Sequence, residues 1–349
     1  MVAFSPADLD TRPAPLTGPT PSVWVLYDGK PGMASQALGL AEAAGFPFIE
    51  KALSVRRPWA WLPPVLWVAP LSAATAAGLP LVPPWPGLVI GCGRNAAAPA
   101  LAIRRASFGR TLAAQVQDPR IGRGEFNLLF VPEHDRLRGP RVIVTQGAIH
   151  RVTAARLAAE RRRFPALDTL PRPILGVLIG GTNRAYRLGP RRLGEIAEMI
   201  AAILRQTGGS AVVTPSRRTG APGLALLRER LIGLPGAIWD GSGDNPYYAY
   251  LAIADALLVT ADSVSMVSEA AATGKPVHIL GLDGSPGGGP GGGGAKFARF
   301  HETMRKAGIT RPFTGQIEHW SYTPPDDTAR AGAALRALVA NRRVQLSQP

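Results

Sequence analysis

The run Thr260-Ala261-Asp262-Ser263-Val264-Ser265-Met266-Val267-Ser268-Glu269-Ala270-Ala271-Ala272-Thr273-Gly274-Lys275-Pro276-Val277 decides how this chain is read. Its first residue closes an apolar stretch, Ala256–Thr260, with the length and composition of a strand buried on both faces. Asp262 or Ser263 can cap the helix that follows, and the free N–H groups of a helix amino end suit an anion. Glu269 falls near the second turn, Gly274 stops the helix, and Pro276 opens another apolar run. Strand, hydroxyl-rich helix start, helix, turn and strand follow one another within a single βαβ unit.

The same alternation extends in both directions. Strand Ile174–Ile179 runs into Gly180-Gly181-Thr182-Asn183 and a helix over 190–206, and residues 211–214 lead through Pro215-Ser216-Arg217-Arg218 to a helix over 223–231. A strand at 237–239 is followed by the polar loop 240–246, containing Asp244 and Asn245, and by a helix from Tyr247. Upstream, Val23–Tyr27 ends in Asp28-Gly29-Lys30-Pro31-Gly32 ahead of a helical pattern that stops at Gly45. Residues 87–91, 112–116, 127–131 and 142–145 are further short apolar runs. Strands alternating with helices predict two doubly wound, Rossmann-like α/β domains facing a cleft. A charged helical stretch over 151–172 breaks at Pro171 and Pro173 and sets the boundary. The expected division is a disordered tail over 1–20, an N-terminal acceptor-side domain over 21–165, a C-terminal ligand-binding domain over 166–325 and a closing helix over 326–349.

Bulk properties narrow the function classes. With 46% hydrophobic and 18% charged residues the composition is globular. Cys92 is the single cysteine, which excludes an intramolecular disulfide and a multi-cysteine metal site. The formal net charge of +15 comes mostly from scattered arginine pairs, so the surface attracts polyanions or is simply a solvated basic surface. No zinc-finger spacing, aromatic RNA-binding signature or long Lys/Arg run is present, which makes nucleic acid the weaker partner. No signal peptide is visible, and the expected location is cytoplasmic, with peripheral contact at the inner face of a membrane. That contact is suggested by the segment 58–90, which is apolar and holds Trp59, Trp61, Trp67 and Trp85 beside Arg56 and Arg57. Its eight prolines argue against a spanning helix. It reads either as a proline-rich connection packed on the first domain or as a patch lying on an anionic membrane surface.

The candidate ligand-binding residues cluster after the strands of the second domain. Glycines at 180 and 181 permit close approach of a diphosphate to the backbone, or merely a tight turn. Thr182, Asn183, Ser216, Arg217 and Arg218 offer hydroxyl, amide and cationic contacts, and the polar run from Asp240 to Tyr247, with Asp244 and Asn245, suits contact with a base or a sugar. Asp262, Ser263, Ser265 and Met266 form the start of the decisive helix, and Glu269 can accept both hydroxyls of a ribose. The Gly-rich tract over 284–294 reads as an insertion or a lid, with Lys296, Arg299 and His301 on one face of the helix after it. In the first domain the loop at Asp28 is neither a P-loop nor a G-x-G-x-x-G turn. Asp28 and His134 are the candidate general bases, each with a structural alternative, as a helix cap and as a core histidine. Asp8 and Asp10 form the only Asp-x-Asp and lie in the tail, so no metal and no cofactor are expected.

The run from Thr260 to Pro276 resembles the nucleotide-sugar motif of GT-B transferases. A wider resemblance rests on Gly91-Cys92-Gly93-Arg94, Gln115-Val116-Gln117-Asp118-Pro119-Arg120, Val131-Pro132-Glu133-His134-Asp135 and the run from Gly147 to Thr153. It continues through Gly180-Gly181, Ser216-Arg217-Arg218, Gly241 to Tyr247, Thr260 to Pro276 and Pro325-Asp326-Asp327-Thr328. In this order they are similar to the mitochondrial-fission ELM-type family, known from plants and alpha-proteobacteria. The resemblance implies a GT-B-like fold. In plants it also implies recruitment of a dynamin-type fission protein to the mitochondrial surface, a role that needs a dynamin to act on. The long Gly tract departs from the family pattern.

Together these readings give two expectations. The first is a metal-independent glycosyltransferase using a nucleotide-activated sugar, with a membrane-associated acceptor. The second is a non-catalytic membrane-surface adaptor that keeps the same fold.

Overall fold

The structure is a computed structural model describing residues 22–284 and 294–347. The expected tail over 1–20 and nearly all of the Gly-rich tract fall outside the described residues. The chain divides into two compact units, one made of residues 1–151 and 326–349, the other of residues 152–325.

The first unit runs β1 (Val23–Tyr27), α1 (Pro31–Ala44), β2 (Phe48–Val55), α2 (Pro70–Ala73), β3 (Ala74–Ala76), β4 (Leu79–Pro80), β5 (Leu88–Cys92), α3 (Arg94–Ala106), β6 (Leu112–Val116), β7 (Leu128–Pro132) and β8 (Val142–Thr145). Its sheet has the order β4-β3-β2-β1-β5-β6-β7-β8, with β3 and β4 antiparallel and the rest parallel. Strands β1, β5, β6 and β7 are buried along their whole length, because helices cover both faces of a parallel sheet. Helix α1 opens on Pro31, whose missing N–H costs nothing at a helix start, and ends at Gly45 in the left-handed region at φ 72°. Strand β2 breaks the apolar-run criterion. Only Leu53 of its eight residues is buried, so its sequence carries no continuous hydrophobic signal.

The second unit runs α4 (Ala154–Arg163), β9 (Ile174–Ile179), α5 (Pro190–Thr207), β10 (Ser210–Pro215), α6 (Gly220–Arg230), β11 (Gly236–Ile238), α7 (Tyr247–Ile253), β12 (Ala256–Thr260), α8 (Val264–Ala271), β13 (Val277–Leu280), α9 (Gly294–Lys306) and β14 (Thr310–Pro312). Its sheet is wholly parallel, in the order β11-β10-β9-β12-β13-β14. Leu193, Ile196, Ala197, Ile200, Ala201 and Leu204 form the apolar stripe that lays α5 on this sheet. Each such leucine or isoleucine contributes roughly 1.5–3 kcal/mol of transfer free energy. Each unit is a doubly wound α/β domain.

The structure redraws two boundaries. The charged helix α4 belongs with the second unit, where Leu157 and Phe164 join apolar clusters of that unit. The last helix, α10 (Asp327–Ser347), is part of the first unit. Its Ala331, Ala334, Leu335 and Val339 are buried in the same core as α1, and Asp327 accepts the N–H groups of Gln146 and Gly147 at 2.8 and 3.0 Å.

The proline-rich segment is partly core and partly surface. Trp67 is buried, with its indole N–H donated to Trp59 and Leu62 carbonyls, and Trp59 and Trp85 pack on the same cluster. Trp61 is 72% exposed and Val68 88%, with Val65 and Leu66 exposed between them. The Arg57 guanidinium lies 5.3 Å from the Trp61 ring centroid. No helix among the described residues is long and apolar enough to cross a membrane.

Candidate functional site

In the second sheet, β9 is the first strand of the unit; the chain goes to β10 on one side and later to β12 on the other. The carboxyl ends of β9 and β12 therefore flank the switch point, where an open α/β sheet leaves a crevice for ligands. Gly180-Gly181 leaves β9 there, and Ala261-Asp262-Ser263 leaves β12.

The two glycines serve mainly to bind the loops to one another. The Gly180 N–H is donated to Thr260 Oγ1 at 2.7 Å and the Gly181 N–H to Asp262 Oδ2 at 3.0 Å. The Gly180 carbonyl accepts the hydroxyls of Ser216 and Thr219 at 2.8 and 2.6 Å. Arg218 donates to the Gly181 carbonyl at 3.0 Å and reaches the Asp262 carboxylate at 2.6 Å. A Cβ on residue 180 would stand 2.2 Å from Asp262, and one on residue 181 would stand 2.5 Å from the Arg218 carbonyl oxygen. Glycine is required by the packing of Asp262 and Arg218. The N–H groups expected to meet a diphosphate are committed inside the protein.

Asn183 is committed as well. Its side-chain oxygen accepts the N–H groups of Ala185 and Tyr186, and its amide donates to the Asp262 carbonyl at 3.1 Å. Thr182 is exposed and its hydroxyl accepts the Leu188 N–H. Arg217 is exposed and takes part in none of the ion pairs among the described residues. Of the two arginines in that loop, it is the one with no ion-pair partner among the described residues, whereas Arg218 is held by Asp262. Asp244 pairs with Arg163 at 2.7 Å, and the Asn245 side chain accepts the Tyr247 N–H, so both shape their loop.

Helix α8 begins with a side-chain cap: Ser263 Oγ accepts the Met266 N–H at 3.3 Å. The N–H groups of Val264 and Ser265 are the first-turn donors that this cap leaves over. Ser265 and Met266 are half-buried on that turn. Glu269 lies one turn further in and is buried; Tyr247, at the start of α7, donates its hydroxyl to Glu269 Oε2 at 2.6 Å. Burial, with the Glu269 charge second, raises the Tyr247 phenol well above its ordinary value, so it remains a donor. Tyr247 had only its place at a loop end to mark it, because its partner lies on another helix. His301 of α9 contacts the Ala261 carbonyl at 2.7 Å. A carbonyl can only accept, so Nε2 carries the proton, and burial lowers the ring's pKa and keeps it neutral. The Lys275 ammonium of the Gly-Lys-Pro turn donates to the Leu251 and Ala252 carbonyls near the end of α7 at 2.8 and 2.6 Å, a structural cap.

In the first unit the switch point lies between β1 and β5. Asp28 leaves β1 there, half-buried, with Oδ2 beside Lys30 and no hydrogen bond to Oδ1 among the described residues. His134 follows β7, three strands along the same sheet and therefore roughly 14 Å away. It is 3% exposed. The two candidate bases are not brought together, and only Asp28 stands at the switch point. No group of three or more His, Cys, Asp or Glu among the described residues could hold a metal ion.

Comparison with known proteins gives a family and a fold. A family model described as "Mitochondrial fission ELM1" matches residues 31–339. The Mitochondrial fission protein ELM1 of Arabidopsis thaliana is 33% identical over 285 residues, covering 74% of this chain and 65% of the plant protein. The chain thus spans less than two thirds of the curated relatives it matches. A solved UDP-GlcNAc 2-epimerase of Neisseria meningitidis, bound to UDP-GlcNAc, superposes with a TM-score of 0.50 at 12% identity, covering 92% of this chain and 100% of its own. The Methanocaldococcus jannaschii UDP-GlcNAc 2-epimerase in complex with UDP-GlcNAc and UDP gives 0.51 at 11% identity, covering 92% and 99%.

Proposed function

The chain belongs to the mitochondrial fission ELM1 family, and from that premise we propose that its second unit binds a nucleotide-activated sugar for metal-independent transfer. The observation that carries this reading is the capped amino end of α8 at the switch point, with the Tyr247–Glu269 pair one turn behind it. The Val264 and Ser265 N–H groups, the Ser265 hydroxyl and Arg217 take the diphosphate, whose charge grows as the sugar leaves. Glu269 receives ribose hydroxyls, held in orientation by Tyr247. Gly180, Gly181, Asp262, Ser216 and Arg218 give the crevice its shape. Asp28 is the base for the acceptor hydroxyl, because it is the carboxylate at the first sheet's switch point.

Uridine nucleotides lead the test, since two solved epimerases of this fold hold UDP-GlcNAc, one of them with UDP as well. At a hundredfold excess over Kd, a bound nucleotide raises the melting midpoint by about 5 °C or more. Glu269→Gln keeps an acceptor for Tyr247 but loses the charge, and is expected to weaken binding roughly tenfold. Unchanged affinity in the folded variant removes Glu269 from the site.

One observation favours the adaptor as a second reading: the exposed Trp61, Val65, Leu66 and Val68 beside Arg56 and Arg57 form an apolar, basic edge suited to a membrane surface. Turnover of a sugar nucleotide separates the two readings. Both allow membrane binding.

A further inference from the structure

A cavity of about 700 Å³ opens at the amino-terminal ends of β6, β7 and β8, where Leu112, Leu128 and Val142 begin their strands. This is the end of the first sheet opposite to Asp28. Among the described residues five arginines line it, at positions 104, 123, 138, 141 and 342, and no aspartate or glutamate does. Two of them have carboxylate neighbours outside: Arg123 is held by Asp118 at 2.7 Å, and Arg138 lies 3.9 Å from Glu133. Arg104, Arg141 and Arg342 take part in none of the ion pairs among the described residues.

These three are arranged by the fold. Arg104 donates to the Thr111 carbonyl and to Asn127 Oδ1 at 3.1 and 3.0 Å, and Arg141 donates to the carbonyls of Gly124 and Phe126. Such neutral acceptors fix the guanidinium groups without neutralising them. Arg342 comes from α10, and its Nε is buried with no hydrogen-bond partner. Burial first, then the charges of Arg342 and Arg141, pull Arg104 below its ordinary value, with Glu125 opposing. The last turn of α3 favours a cation at Arg104, but Arg141 sits on no helix.

We propose that this cavity is a binding site for an organic phosphate, separate from the nucleotide-sugar site. Three uncompensated guanidinium groups need more than one negative charge, and a phosphate monoester carries about −1.5 to −2 at neutral pH where a carboxylate carries one. Guanidinium forks match phosphate oxygens in pairs. The leucines at 112, 128, 129 and 137 give the floor an apolar surface for the body of the ligand. A water-soluble phosphate ester and the headgroup of an anionic phospholipid share this chemistry.

The test uses the full chain and the double variant Arg141→Gln/Arg342→Gln, with Arg217→Gln as a control in which the diphosphate-binding part of the sugar-nucleotide site is altered. Inositol hexakisphosphate is the soluble probe, and phosphatidylcholine vesicles doped with phosphatidate are the lipid probe. Wild type and the Arg217 variant should bind one of the probes equally, and the double variant should bind it roughly tenfold or more weakly for the lost charge-assisted bonds. Binding of the soluble probe assigns a free phosphate ester; binding confined to vesicles assigns a headgroup. The ligand-free double variant should also melt higher than wild type, because a like-charge repulsion is gone; arginines that merely brace the fold would give the reverse. Equal binding of both probes by wild type and double variant, or no binding of either by wild type, overturns the proposal. Loss of binding in the Arg217 variant would instead place the phosphate at the sugar-nucleotide site and overturn it as well.

Discussion

The two switch points share a topology and differ in what fills them. In the second unit, main-chain groups are tied by short polar side chains: hydroxyls of Thr260, Ser216 and Thr219 on the glycine pair, and a buried Asp262 clasped by Arg218. In the first, the space between β1 and β5 is packed with longer, softer groups. Gln115 donates to the Gly93 carbonyl, Gln117 to Gln36, and Met33 lies against Cys92. The first sort of packing is rigid and depends on charge. The second can yield, because amide and thioether side chains rotate.

The sharpest way to break this contrast is to add one methyl group to each side. Gly181→Ala in the second unit drives a Cβ into the Arg218 backbone, which cannot move without releasing Asp262. The expected loss is about 3 kcal/mol or more, at the upper end of overpacking costs. Gly91→Ala in the first unit meets only the end of the Gln115 side chain, at 2.2 Å, and should cost about 1 kcal/mol. Urea melting of the two variants checks it; equal losses would mean that the two packings are equally stiff.

A smaller effect comes from removing a cation on each side. Arg218→Ala leaves the Asp262 carboxylate, fully buried, without its counter-charge. Because Arg218 is itself 40% exposed, water replaces part of the loss, and about 1–2 kcal/mol is expected. Lys30→Ala removes an exposed partner of Asp28 and should change stability by less than about 0.5 kcal/mol. A Lys30 variant as damaging as the Arg218 variant would show that Asp28 is held as tightly as Asp262.

The last effect is one of sign, not of size. Burial lowers Lys275 from 10.5 to about 8. Between those values the unfolded chain holds a proton that the folded second unit does not, so stability rises with pH, by less than about 1.4 kcal/mol per unit for a partly exposed group. Above pH 10 the trend reverses, since burial pushes Tyr250 up to about 12 and the folded state then holds the extra proton. In the first unit burial, and secondarily Asp28, raises the Cys92 thiol from 9.0, so its contribution falls as pH rises past that value. Melting curves from pH 8 to 10 should therefore lose their rising component in Lys275→Met and their falling component in Cys92→Ala. Unaltered curves in both would disconnect these groups from stability.

The order of effects also shows which parts were readable in the sequence. Strand β12, the Ser263 cap and the Gly274 stop are local, and each follows from a residue type within a few positions. The glycines at 180 and 181 were legible as a special turn, but not what surrounds them, since Asp262 and Arg218 arrive from other strands. Tyr247 belongs to the run from Gly241 to Tyr247, but its bond to Glu269 is not legible there for the same reason, nor are the bonds by which Asp244 and Asn245 hold their loop. Lys275 was part of a recognisable Gly-Lys-Pro turn, yet its two carbonyl partners belong to α7. Strand β2 was hidden by its exposed residues, and the return of α10 to the first unit leaves no mark short of its buried alanine and leucine face.

That return has a consequence for biosynthesis. Residues 152–325 are threaded between the two parts of the first unit. As the chain emerges from the ribosome, the sheet β1 to β8 is complete long before the helix that covers one face of its core. At roughly 5–20 residues per second, the interval lasts on the order of 10–40 s. For that time the surface later sealed by Ala331, Ala334, Leu335 and Val339 is open. The second unit, contiguous in sequence, can finish first. Newly made chains therefore expose a greasy face from the half translated earliest, and a nascent-chain chaperone would find its site there, on α1, until the final helix arrives.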